Sequence, residues 1–430
     1  MNVLGYHKIL TSGQISDTEK LRFGMILLYI ISLPFDLFYS SILFYALLLI
    51  TILDLRKDSF KRIPKQIWVF QLVFLLGVSG YVYSFHKGDA MFLLERQLMI
   101  FMFPLILPLA IRFTADTLTP VLRAITFTSV LALVYLFGNM IHSIVFELQL
   151  PFFKTALSGA FFNHPFSKPI GMHAGYLSLY VSFSMIYCIQ QFRETNGWLR
   201  LTGLSLVVLI LFTGLIFLAS RNALIATFII LVFVFPFFGI RNRLLYMAIS
   251  LGSVALVYVI MTNVPYLKER FSIELITDIK PLKDGSFISY NTAEPRIERW
   301  KVAVDLIKQS PLIGYGTGDE IETLKSSYLK KGLFISYMEN FNSHNQYLSY
   351  ALKHGLIGLS VFVFAFVYYV RLAIKHKAFM YLAFLLLLLV GFYTENILDA
   401  NKGIVFFAFF NTFFGYLYLQ KEKDTAEKSS

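Results

Sequence analysis

Apolar stretches long enough to cross a bilayer recur from one end of this chain to the other. A spanning helix needs about 17–25 mostly apolar residues. Runs of that kind lie at roughly 21–35, 37–53, 66–84, 91–111, 121–146, 172–190, 199–219, 222–239, 244–262, 345–370, 378–394 and 402–419. The expected fold is an all-α polytopic membrane protein with about twelve transmembrane helices. Composition agrees: hydrophobic residues make up 57% and charged residues 15%, against about 45–50% and 25% in a soluble domain. That balance excludes disorder, collagen-like sequence and most soluble enzymes. The 45 Phe and 25 Tyr suit lipid contact and interfacial belts. The first run ends at Leu33-Pro34, so the first two runs read as a possible broken hairpin. The first twenty residues hold no signal-peptide core, and the first span is expected to act as an uncleaved anchor. Cys188 stands alone, which rules out an intrachain disulfide, and it reads as a packed apolar residue.

The placement of charge sets the orientation. Arg56, Lys57, Lys61, Arg62 and Lys65 follow the second span, and Arg112 and Arg123, Arg193 and Arg200, Arg241 and Arg243, Arg371, Lys375 and Lys377 mark alternate loops. The tail adds Lys421, Lys423 and Lys428. By the positive-inside rule this face is cytoplasmic and both termini lie on it. The net charge is +12, yet residues 263–343 carry eleven basic and eleven acidic residues. The whole excess therefore lies outside that loop, and no nucleic-acid partner is needed to explain it. The chain divides into an N-terminal bundle of about nine spans (1–262), a periplasmic catalytic loop (263–343), C-terminal spans (344–420) and a cytoplasmic tail (421–430).

The external loop is partly helical. Residues 294–310 read as an amphipathic helix, with Ile297, Trp300, Val304 and Ile307 at helical spacing. Pro295 suits its first turn and Pro311 its end. A second short helix is expected through 319–331. Gly314, Gly316 and Gly318 follow no strand and fit neither nucleotide fingerprint; they read as a helix-ending turn.

Function is expected in this loop, at the external ends of the spans or in a pathway through the bundle, because the cytoplasmic loops are short. Ser220-Arg221-Asn222 interrupts about 40 apolar residues. An arginine inside a bilayer costs about 2.5–3.5 kcal/mol, so Arg221 is either an interfacial anchor or an anion-binding fork. Arg296 and Arg299 share a helix flank, solvated or turned back to the membrane. His344 sits where the loop re-enters the membrane, and a histidine side chain can take up or release a proton in catalysis; a capping or surface role is the alternative. His164 and His173 are weaker candidates. Glu395, Asn396 and Asp399 either face the same cavity or form a polar turn. The external segments hold no Asp-x-Asp or HExxH pattern, so neither a metal nor a cofactor is expected.

Three elements in order carry a resemblance: FLASRNALIA, then RIERWKVAVDLIKQSPLIGYGTG, then HNQYLSYALKHGLIGL. Together they resemble the O-antigen ligase and polymerase family of bacterial inner-membrane glycosyltransferases, over about residues 215–360. The resemblance implies metal-independent transfer of a glycan from an undecaprenyl-pyrophosphate carrier to an acceptor, either lipid A-core or a growing glycan, on the periplasmic side. It places Arg221, Arg296 and His344 at the family's catalytic positions and leaves Arg299 a bystander. Ser220, Trp300 and Asn345 are expected to join the two arginines in binding substrate. Asn222 departs from the glycine found in many members, which touches backbone freedom only.

Ligation and polymerisation share donor and residues, and the loop motifs look nearer the ligase pattern. The reading of another class is a polysaccharide or lipid transporter. It calls for inverted repeats and broken midplane helices, whereas this chain has one buried anomaly near a span edge and one large external loop. A structural scaffold leaves the order of the three elements unexplained.

Overall fold

The computed structural model describes residues 16–55, 57–238, 243–279 and 294–429, and no strand occurs among them. Arg56 and Arg241 lie outside the described residues, as do the side chains of Lys57, Arg243 and Lys428. Each of the twelve apolar runs carries a helix: α1 (Asp17–Ser32), α2 (Leu37–Leu53), α3 (Ile67–Tyr83), α4 (Lys87–Ala110), α5 (Ala115–His142), α6 (Ala174–Gln191), α7 (Trp198–Leu218), α8 (Arg221–Ile229), α9 (Arg243–Asn263) and, after the loop helices α10 (Arg296–Gln309) and α11 (Glu320–Lys330), α12 (Gln346–Lys375), α13 (Phe379–Gly391) and α14 (Asn401–Ser429).

Fewer of these are full-length spans than the runs suggest. Among the described residues five helices are long and apolar enough to cross a membrane, or up to seven if each of two bent pairs is one span. One bent pair joins His164–Ile170 to α6 at 84°. The runs at α2, α3, α8 and α13 form shorter apolar helices. Two of these, α8 and α13, pack side by side. They stop at the same polar end, with Arg221 and Gly391 on one cavity.

Aromatic side chains such as Tyr45, Trp68, Phe127, Tyr135 and Trp198 face outward, while others fill the interior of the bundle. Of the apolar window of α14, 94% is buried inside the protein. Phe406, Phe407, Phe409, Phe410, Phe413 and Phe414 are fully enclosed, packed by ring contacts such as Phe183 to Phe410 at 5.2 Å. In lipid the hydrophobic effect does not drive helices together, so large interdigitating rings hold the bundle by dispersion. The first two runs do form a hairpin, α1 against α2. Lys402 donates to Leu33 O at 2.7 Å and to Phe35 O, satisfying carbonyls freed at the Leu33-Pro34 turn.

Basic side chains gather at the opposite end from the site. Lys61, Arg62, Lys65, Arg112, Lys375 and Lys423 line one cavity there, bringing three interhelical turns and the end of α14 to one face.

The segment between α9 and α12 forms its own small core from Val302, Ala303, Leu306, Leu324, Tyr328 and Leu333 with Leu352 of α12. The buried stripe of α10 is thus 299, 302, 303 and 306, one step round the helix from the expected 297, 300, 304 and 307. Val304 is 39% exposed. The glycine-rich turn docks backbone to backbone on α12. Tyr315 N donates to Leu352 O at 2.8 Å and Gly316 N to Lys353 O at 2.9 Å. Leu356 N and Ile357 N donate in return to Pro311 O at 2.7 Å and Leu312 O at 3.3 Å. These bonds repair the helix ladder where Gly355 (φ 63°, ψ −169°) breaks it. The Gly314–Gly318 stretch and the glycine of HGLIGL are therefore one joint between loop and membrane.

Candidate active site

Three turns, far apart in sequence, carry the charged groups. The first follows α7, where Ala219 adopts φ 47°, a left-handed conformation uncommon for a side chain with Cβ. That residue reverses the chain so sharply that Ser220 and Arg221 open α8 directly. Ser220 makes no side-chain cap bond at this N-terminus. Arg221 Nη2 donates to Asp278 Oδ2 at 2.6 Å, and Nη1 to Arg270 O at 3.5 Å. Arg270 Nε in turn donates to Ala219 O at 3.0 Å, tying the turn to the segment that follows α9.

The second turn opens α10. Arg296 Nη1 donates to Thr394 O at 3.2 Å. Its Nη2 lies 3.7 Å from Glu395 Oε1 and its Nε 4.0 Å from Asp278 Oδ2. The third turn holds His344 at φ 45°, with its amide donating to Asn342 Oδ1 at 2.9 Å. His344 Nδ1 and Glu395 Oε2 stand 3.5 Å apart. Burial pushes the Glu395 carboxyl up, but the His344 hydrogen bond and the charges of His344 and Arg296 outweigh it and hold the group below the usual carboxylate range.

Ser220, Arg221, Arg296, Trp300, His344 and Glu395 all line one cavity of about 360 Å³. His164 and His173 reach it too, their rings 4.0 Å apart. Trp300 Nε1 donates to Ser343 O at 3.0 Å and its ring meets Tyr393 edge-on at 5.2 Å, so it also braces the turn that bears His344. Asn345 is placed otherwise than expected. Its Oδ1 accepts from Tyr347 N at 3.0 Å and Leu348 N at 3.1 Å, capping α12, and it does not line this cavity. Asn is a preferred N-cap residue, and Asn345 fills that position here.

Arg299 is not on a solvated flank. It is 5% exposed and lies over the Phe341 ring at 4.9 Å; burial and the nearby Arg296 push its pKa down. Of the polar trio after α13, Glu395 faces the cavity, while Asn396 and Asp399 turn to a buried cluster around Glu320 and Lys353. Arg270 and Asp278 line the cavity but carry no local sequence signal: they sit in a stretch of evenly mixed charge, and only the fold brings them to Arg221. Among the described residues no group of three or more His, Cys, Asp or Glu side chains is arranged to hold a metal ion.

A bundle of apolar helices that gathers arginines, a histidine and carboxylates at its helix ends defines a multi-pass membrane protein with a polar, cation-rich pocket. Residues 206–363 match the family model described as O-antigen ligase. That stretch is an O-antigen ligase domain, which implies glycosyltransferase activity on lipid-linked glycan donors and acceptors. No curated protein matches the chain. The matched stretch begins in α7 and ends in α12, so it includes Arg221, Arg296 and His344.

Proposed function

We propose that the protein transfers an O-antigen-like glycan from undecaprenyl pyrophosphate to a sugar hydroxyl of lipid A-core, at the periplasmic face of a bacterial inner membrane. The observation that carries this reading is the convergence of Arg221, Arg296 and His344 on one cavity from three separate turns. The acceptor oxygen attacks the anomeric carbon, the bond from that carbon to the pyrophosphate oxygen breaks, and the electron pair leaves with the lipid pyrophosphate. Arg221 and Arg296 bind that anion and stabilise the charge that develops on it. A carboxylate, Asp278, already lies between the two guanidinium groups, which supports anion gathering by the pair. The first turn of α8, from Ser220 to Ala223, lines the same cavity, and a helix N-terminus favours a phosphate group.

The attacking hydroxyl loses its proton to His344, whose ring Glu395 orients; general-base catalysis of this kind contributes roughly 10²–10⁴-fold. In this reading about twelve helices cross the membrane, residues 263–343 are periplasmic and both termini are cytoplasmic. The basic face at the opposite end from the site supports that orientation.

The test is transfer by purified protein in nanodiscs, with undecaprenyl-pyrophosphate glycan as donor and lipid A-core as acceptor. Arg221→Lys and Arg296→Lys keep the charge but lose the bidentate fork, and each is expected to slow transfer at least about tenfold. Transfer at the wild-type rate by folded Arg221→Lys and Arg221→Ala refutes the anion role. Elongation of a carrier-linked glycan in place of capping lipid A-core identifies a polymerase.

A further inference from the structure

Beside His344 lies a buried ionic cluster that the chemistry above does not use. Glu320, the first residue of α11, is 3% exposed. Lys353 of α12 reaches it at 3.1 Å and donates to Asp399 Oδ2 at 2.7 Å. Glu320 Oε1 accepts from Ser343 Oγ at 2.9 Å, Ser343 N at 3.3 Å and Asn396 Nδ2 at 3.4 Å. Its other oxygen accepts from Ser349 Oγ at 2.5 Å. One carboxylate therefore grips the residue before His344 and the residue after Glu395.

Burying such a cluster costs more than apolar packing of the same volume, and its best-attested return is a single defined geometry. The geometry at stake here is plain. His344 and Glu395 come from different turns and meet at 3.5 Å; Gln346 N ties the same two turns by donating to Phe392 O at 2.8 Å, but it acts beyond His344 on the α12 side, whereas Glu320 holds the residue on its loop side. A small separation at that distance ends the contact. Burial drives the Glu320 carboxyl toward its neutral form, but Lys353, Ser349 and Ser343 outweigh it and hold its pKa down, so the carboxylate is the form that does the gripping.

We infer that Glu320, backed by Lys353 and Asp399, is a positioning residue that fixes the His344 turn against Glu395 and thereby sets the general base at its working distance. This rests on the proposed role of His344. It assigns the external loop a task in catalysis besides supplying Arg296: α11 carries the clamp, and the glycine joint at Gly314–Gly318 seats α11 on α12.

Two serines separate positioning from mere stability. Ser343 and Ser349 are both fully buried and each donates one hydroxyl bond to the same carboxylate, but only Ser343 adjoins His344. Ser343→Ala and Ser349→Ala are compared for unfolding midpoint, kcat and donor KM in nanodiscs, with His344→Ala alongside. Similar falls in midpoint are expected for the two serine variants. Only Ser343→Ala is expected to lose kcat, about tenfold or more as misplacement predicts, with donor KM within about twofold. Glu320→Gln is expected to lose kcat in the same way, and Glu320→Asp, which keeps the charge, to recover part of it. Equal kcat losses in the two serine variants, or a loss confined to KM, overturn the positioning role. Wild-type kcat in His344→Ala overturns the base assignment itself, whatever the serines do.

Discussion

Gly355→Ala is the substitution whose cost the backbone states most directly. Gly355 has φ 63° and ψ −169°, a region essentially closed to residues with a Cβ. A Cβ built there stands 2.1 Å from Leu312 O and 2.5 Å from Ile313 N. Ordinary contact between such atoms needs on the order of 1 Å more, so the glycine-rich turn has to retreat. The backbone strain costs about 1–3 kcal/mol. Loss of two of the four backbone bonds that join the turn to α12 adds about 1 kcal/mol each, giving roughly 3–5 kcal/mol in all. That is enough to free the loop while the bundle remains. The assay is thermal unfolding in nanodiscs together with limited trypsin digestion, read at Lys325 and Lys330 of α11. Faster cleavage there, a lower midpoint and lost transfer are expected. Gly203→Ala, at a helical site with no neighbour within 4 Å of the added carbon, is the control and should leave all three readouts unchanged. A Gly355→Ala protein with wild-type midpoint and cleavage rate refutes the docking argument.

Glu395 gives a pH dependence with a definite sign. Its folded-state pKa lies below the ordinary value, so its stabilising contribution is complete above the ordinary carboxylate range and disappears as pH falls through the lower folded value. The midpoint difference between wild type and Glu395→Gln should therefore shrink steadily as the pH is taken from neutral into that acidic range; a difference that grows on acidification contradicts the pairing with His344 and Arg296. Arg299→Ala removes a buried guanidinium from the Phe341 ring, so the unfolding midpoint should fall while kcat of the folded fraction stays within about threefold of wild type; a specific kcat loss at unchanged midpoint places Arg299 in the chemistry. In a Cys188→Ser background, an impermeant thiol reagent should label Ser326→Cys and not Lys61→Cys in intact spheroplasts, and the reverse pattern inverts the orientation.

The sequence by itself determined the helical, membrane-embedded character of the chain, because period, length and charge placement are local properties. Each apolar run became a helix. The loop helices occupy the stretches marked by Pro295, Pro311 and the polar run after Gly318. The order of the motif elements also pointed to Arg221, Arg296 and His344, which the fold brings to one cavity. Tertiary structure alone decided the rest, since it turns on contacts between residues far apart in the chain. Periodicity reports that α10 has an apolar face, but two partly apolar faces compete on it, and packing of Val302, Ala303 and Leu306 against α11 and α12 selects the buried one. Arg299 follows that face inward. That the side-chain Oδ1 of Asn345 caps α12 shows only in the fold. Asp278 and Arg270 sit among ordinary loop charges and acquire meaning only beside Arg221. Glu320 and Lys353 carry no mark in sequence, and Asp399 reads there only as part of a polar turn or cavity wall; the fold closes the three into one buried cluster, and no local pattern encodes a contact whose partners are supplied by the loop, α12 and the turn after α13.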